Sequence, residues 1–103
     1  MSSISTHILD VAQGRPAGDV EIVLYRGEEE VARGRTNADG RMPRWDAGPG
    51  NYKLRFETKA YFSRRSVETL YPFVEVHFEV AGDSHYHIPL LLSPFGYSTY
   101  RGS

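Results

Sequence analysis

The sequence predicts an all-β fold, an antiparallel β-sandwich with one short helix. Three observations carry this. Short stretches alternate apolar and polar residues with period two. Clusters of Gly, Pro, Asn, Asp and Ser separate them. Only one stretch, roughly Thr58–Arg65, has room for a helix. The 103 residues suit one domain, spanning 1–103.

Each element has its own pattern. Ile4–Val11 sets Ile4, Thr6 and Ile8 on one face and Ser5, His7, Leu9 and Val11 on the other. Val20–Tyr25 is rich in β-branched residues and follows the turn cluster Gly14–Asp19. Asn51–Glu57 alternates, with Tyr52, Leu54 and Phe56 opposite Lys53, Arg55 and Glu57. Phe73–Val80 is the cleanest strand: Val74, Val76, Phe78 and Val80 face one way, Glu75, His77 and Glu79 the other. His85–Leu92 puts Tyr86, Ile88, Leu90 and Leu92 together, against His85, His87, Pro89 and Leu91. Residues 96–100 complete a set of seven or eight strands. Turns fall at Asn37–Gly40, Gly48–Asn51, Ala81–Ser84 and Ser93–Gly96.

Composition narrows the function. A hydrophobic share of 40% supports one modest core. Cysteine is absent, which excludes disulfides, thiolate zinc sites and a cysteine nucleophile. The net charge of -1 gives no footprint for nucleic acid or an anionic membrane. No apolar run approaches the roughly 20 residues that cross a bilayer. The opening Met-Ser-Ser-Ile-Ser-Thr-His lacks a secretory pattern, and the ending Arg-Gly-Ser is not a peroxisomal address, so a cytoplasmic location is expected.

The residues with chemical reach are histidines and arginines. His77 lies between Glu75 and Glu79 and reads as a solvated surface group. His85 and His87 share a strand face. Such a pair can bind zinc with His7 as a third ligand, but no acid stands beside it on its strand. Acid–base work is the sharper reading, because histidine titrates close to neutral pH. Two histidines and an arginine around one pocket would activate water and stabilise an oxyanion. No G-x-S-x-G elbow, Walker loop or G-x-G-x-x-G is present. Both strands bearing these histidines have a second face mixing apolar groups with imidazole, which suggests burial against another subunit. Tyr97–Ser103 carries aromatic, hydroxyl and guanidinium groups up to the chain end.

Three blocks carry a family resemblance. They are Ser5-Thr6-His7-Ile8-Leu9-Asp10 with Gly14-Arg15-Pro16-Ala17; Thr36-Asn37-Ala38-Asp39-Gly40-Arg41; and His85–Pro94 running into Tyr97-Ser98-Thr99-Tyr100-Arg101-Gly102-Ser103. With these blocks the chain resembles the 5-hydroxyisourate hydrolases, the transthyretin-related proteins of urate breakdown. The resemblance implies a transthyretin-like sandwich of two four-stranded sheets, with a short helix after the fifth strand. It implies a homotetramer, a dimer of dimers, with active sites in the cleft between dimers. That cleft would be lined by the mixed faces of the first and seventh strands.

Residue by residue, the resemblance makes His7, Arg41 and His87 catalytic. It brings Tyr100, Arg101 and Ser103 to the substrate. His85 is expected to stand behind the site or on the surface. The implied reaction opens 5-hydroxyisourate at an amide-like C–N bond, giving 2-oxo-4-hydroxy-4-carboxy-5-ureidoimidazoline in purine degradation. No metal and no cofactor is expected, and the only partners are the small-molecule substrate and further copies of the chain. Whether His7 or His87 is the base stays open. The alternative is a non-enzymatic transthyretin-like protein that binds a small ligand. His7 and His87 stand where a hormone carrier of this type has lysine and threonine, and Tyr100 would narrow a hormone-sized channel.

Overall fold

Two sheets packed face to face build the molecule, a computed structural model that describes residues Met1–Ser103. The first sheet has the order β2-β1-β8-β9, with β5 also paired to β1. Its strands are β1 (Ser2–Asp10), β2 (Arg15–Pro16), β5 (Trp45–Ala47), β8 (His85–Ser93) and β9 (Gly96–Thr99). The second has the order β4-β3-β6-β7, from β3 (Glu21–Arg26), β4 (Glu29–Arg35), β6 (Gly50–Phe56) and β7 (Val74–Val80). The expected sandwich is therefore present. The helix α1 spans Thr58–Arg64 and follows β6. It would follow the fifth strand but for the two-residue β2, which is also why the mixed-face seventh strand is β8 here.

Period-two alternation in β1 becomes alternating burial. Ile4, Thr6, Ile8 and Asp10 are buried, while Ser3, Ser5, His7 and Leu9 are half-buried on the outer face. The core joins these inner residues to Ile22, Leu24, Leu54, Phe56, Leu90 and Leu92 across the sandwich. Helix α1 closes one end by burying Tyr61 and Phe62. Buried polar groups on β1 are matched: Thr6 Oγ1 donates to the Ile88 carbonyl at 2.6 Å, and Tyr61 donates to Asp10 Oδ2 at 2.7 Å. Burial and that hydrogen bond push the Tyr61 phenol up to about 12, so it remains a donor.

Two features depart from the alternation expected in sequence. Strand β4 is a nearly all-exposed edge strand, Glu-Glu-Val-Ala-Arg-Gly-Arg, with no apolar face to read. Its place is fixed by the tight connection from β3, where Gly27 takes φ +60°. The β1–β8 pair runs parallel within an otherwise antiparallel architecture. These strands are separated by most of the chain, so no hairpin constrains their direction. The parallel register sets Ser3 opposite His85, Ser5 opposite His87, and His7 opposite Pro89. No helix is long and apolar enough to cross a membrane.

Candidate active site

His7 and His87 project from the outer face of the first sheet because each lies one step from a core residue. Thr6 and Ile8 flank the first, and Tyr86 and Ile88 the second. Arg41 reaches the same face through a turn. Asn37 Oδ1 accepts from Asp39 N at 2.9 Å and Arg41 N at 3.1 Å, while Gly40 N donates to the Asn37 carbonyl at 2.9 Å. Gly40 has φ +74°, and a Cβ there would run into the Ile8 carbonyl. With glycine in place, Ile8 N donates to Gly40 O at 2.8 Å and Arg41 pairs with His7 by a backbone bridge. A turn remote in sequence is thus stitched to the middle of β1.

The chain end is held on the opposite side of the site. Gly102 N donates to the His87 carbonyl at 2.8 Å. The pairs Leu90–Thr99 and His87–Gly102 share one register, so the tail continues the line of β9. That register sets Tyr100 opposite Pro89, on the histidine face, and Arg101 opposite Ile88. A Cβ on Gly102 would stand 2.5 Å from His87 Cδ2. Glycine is therefore the residue that lets the tail lie flat against the imidazole.

Arg101 goes elsewhere. Its guanidinium lies over the Tyr86 ring at 4.3 Å and donates to Ser84 Oγ at 3.2 Å and the His85 carbonyl at 3.4 Å. With Tyr100 it borders a cleft of about 340 Å³ at the open edge of the sandwich, beside Val76, Phe78, Tyr86 and Ile88. Within one chain, then, His7, Arg41 and His87 are brought together, Gly102 is pressed against His87, and the Arg101 side chain anchors the tail on β8. Ser103 is exposed at the chain end.

The electrostatics of the cluster are one-sided. Neither His7 nor Arg41 has a carboxylate partner, and Arg41 makes no side-chain hydrogen bond. His87 is pulled below the usual imidazole value, first by burial and then by the charges of Arg41, His85 and His7. It is therefore neutral at neutral pH. Its Nδ1 lies 2.8 Å from Ser5 Oγ, while Nε2 has no partner in the chain. None of the cavities of the single chain contains His7, Arg41 or His87, which stand on an open face. No group of three or more His, Asp or Glu side chains is arranged to hold a metal ion. His77 is a surface group as expected, 69% exposed and 3.5 Å from Glu75.

The sequence did not reveal Ser3, Ser5 or Gly102 as parts of this region. Ser3 and Ser5 share the His7 face by simple alternation. Their contact with His85 and His87 depends on a strand pairing across some 80 residues, which no local pattern encodes. Gly102 carries no side chain and so no chemical signal.

Fold and cluster together define a small β-sandwich protein with an uncompensated histidine–arginine group on one sheet face. Residues 4–102 match the HIUase/Transthyretin family. A probable 5-hydroxyisourate hydrolase of Schizosaccharomyces pombe is 41% identical over 113 residues, covering 98% of this chain and 91% of that protein. The solved 5-hydroxyisourate hydrolase of Klebsiella pneumoniae superposes with a TM-score of 0.93 at 42% identity, covering 100% of both chains. Transthyretin from Sparus aurata follows the same transthyretin-like fold, with a TM-score of 0.91 at 32% identity, covering 96% of this chain and 95% of that one. The chain belongs to the HIUase/Transthyretin family.

Proposed function

We propose that this chain is a hydrolase that opens the six-membered ring of 5-hydroxyisourate at its amide-like C–N bond, a step of urate and purine degradation. The full-length relatives carrying that name support the reaction class. The observation that carries the chemistry is His87: a neutral imidazole, held at Nδ1, with Nε2 unpartnered beside an unneutralised Arg41. A base needs an open lone pair near neutral pH, and this is the group that offers one. His87 takes a proton from water as the water oxygen bonds to the ring carbonyl carbon. Arg41 offsets the charge that develops on the carbonyl oxygen. His7 gives a proton to the nitrogen as the C–N bond breaks, and the product is 2-oxo-4-hydroxy-4-carboxy-5-ureidoimidazoline. Tyr100 and Ser103 bound the substrate, and Arg101 contributes by anchoring the tail that carries them. No metal or organic cofactor enters the scheme.

The working unit in this reading is a homotetramer, a dimer of dimers whose facing outer sheets enclose the site. Support comes from the open face itself. Leu9 and Leu91 are half-buried there in the single chain, while Val11 and Tyr100 are exposed. A cytoplasmic setting fits a step of purine breakdown.

The test is a coupled ultraviolet assay in which urate oxidase generates 5-hydroxyisourate in the cuvette. The expected result is decay faster than the spontaneous rate, saturable in substrate. A folded tetramer that leaves the spontaneous rate unchanged, and binds the compound only stoichiometrically, would overturn the enzyme in favour of a binding protein.

A further inference from the structure

The outer face of the first sheet carries a row of four side chains in unbroken hydrogen-bond contact. Ser3 Oγ is 2.6 Å from His85 Nδ1. His85 Nε2 is 2.8 Å from Ser5 Oγ, and Ser5 Oγ is 2.8 Å from His87 Nδ1. The two rings lie nearly parallel, 17° apart with centroids 6.5 Å from each other. The parallel β1–β8 register produces this row, since it interleaves a serine at every second residue of one strand with a histidine at every second residue of the other.

Proton counting ties the row together. The Ser5 hydroxyl has one hydrogen, two lone pairs and two ring nitrogens in reach, so when it donates to one nitrogen it accepts from the other. With both rings neutral and Ser5 donating along the row, two arrangements exist. In the first, His87 Nδ1–H donates to Ser5, Ser5 donates to His85 Nε2, and His85 Nδ1–H donates to Ser3. His87 Nε2 is then a bare lone pair on the site side. In the second, every hydrogen bond is reversed, and Nε2 of His87 carries the hydrogen. In a row ordered this way the state of one ring dictates that of the other, because the bond made at one ring nitrogen sets which nitrogen is protonated.

We propose that Ser5 and His85 are positioning residues that, with Ser3, form a proton wire which holds His87 ready as a base and carries the accepted proton away. The inference rests on the hydrolase reading above. As water gives a proton to His87 Nε2, the Nδ1 proton passes to Ser5, the Ser5 proton to His85 Nε2, and the His85 Nδ1 proton to Ser3, whose own proton leaves to solvent. One proton enters and one leaves, and all four groups stay neutral. The reverse passage, drawing a proton from solvent at Ser3, resets the row as the His87 Nε2 proton returns to the water that enters when product leaves. Ser3 sits at the exit, its backbone N–H bonded at 3.1 Å to the carbonyl of exposed Ser84. A neutral wire suits this place, because His87 is half-buried and Arg41, His7 and His85 all disfavour a positive charge on it.

The wire is tested in the full-length protein by two independent readouts. Carbon-13 and nitrogen-15 spectra of ring-labelled histidine, recorded without substrate, report the His87 tautomer. The Nδ1–H form should dominate in the wild type and give way to the Nε2–H form in Ser5→Ala. Turnover of 5-hydroxyisourate should fall about 10–100-fold in kcat in Ser5→Ala and in His85→Phe, with KM little changed. Ser5→Thr, which keeps the hydroxyl, should restore both readouts and guards against a folding defect in the other variants. The solvent isotope effect should involve more than one proton in the wild type and a single proton in Ser5→Ala. An Nε2–H tautomer in the wild type, or Ser5→Ala with unchanged kcat, would overturn the wire. If the wild type does not accelerate decay at all, the hydrolase reading falls by that result alone, while the tautomer spectra still decide whether the row sets His87.

Discussion

The two outer sheet faces of this molecule start from the same pattern and end in opposite states. On the second sheet, most of the outward arginines and lysines are matched by carboxylates. Arg33 pairs with Glu21 at 2.9 Å and Glu30 at 2.7 Å, Arg55 with Glu57 at 2.7 Å, and Lys53 with Glu75 at 3.7 Å. On the first sheet, His7, His87 and Arg41 stand together without a carboxylate among them. Both faces are read from the same alternation of apolar and polar residues. The difference teaches that polarity alone marks a surface, whereas polarity without internal compensation marks a site. A matched face is complete in itself; an unmatched cationic one leaves charge free for a ligand, and in the proposed reaction that ligand is a planar substrate that develops negative charge.

Breaking the first face should have far larger effects on function than breaking the second. Deleting Tyr100–Ser103 removes the tail that lies along His87 and the anchor at Tyr86. It should lower turnover by about 10²-fold or more, since small displacements of reacting groups are costly. Near-normal turnover from the truncated chain would show the tail to be dispensable. Gly102→Ala is a finer probe of the same contact. The added methyl meets His87 Cδ2 and the ring of Pro89, so the tail must lift. About tenfold lower kcat with an unchanged thermal midpoint is expected, and an unaltered kcat would contradict the close packing.

The pH dependence sharpens the comparison. His87 is held below 6.5 by burial and by neighbouring cations, so the acidic limb of kcat/KM should fall below pH 6.5. A limb above that value would exclude His87 as the base. The sign for stability follows from the same shift. The unfolded chain binds the His87 proton at a higher pH than the folded chain does. The contribution of this group is therefore full above pH 6.5 and is lost as pH falls through the folded value. The smallest effect belongs to the matched face. Arg55→Ala breaks a partly exposed pair and should cost under about 1 kcal/mol in denaturant unfolding.

Much of this was legible in the chain, for reasons particular residues make plain. β1, β6, β7 and β8 were readable because each buries one face, and Ile4, Leu54, Val74 and Leu90 record that burial at period two. β4 was not, because an exposed edge strand has no face to bury and its sequence is ruled by charge. His7, His87 and Arg41 were named from the resemblance, and their meeting depends on the Asn37–Arg41 turn, whose Gly40 only the structure explains. Arg101 was expected at the substrate, yet its guanidinium stacks on Tyr86, because the tail register turns it away from the histidine face. Ser3 and Ser5 stayed invisible, since a hydroxyl beside an imidazole is a consequence of strand pairing and leaves no local trace.

The central claim is that the unmatched face does the chemistry and the matched face does not. It is tested most directly by following 5-hydroxyisourate decay in ultraviolet light with His87→Ala and Arg55→Ala side by side, one change on each face. A drop of about 10²-fold or more is expected for the first and wild-type turnover for the second, both proteins remaining folded. Normal turnover from His87→Ala, or an equal loss from Arg55→Ala, would contradict it.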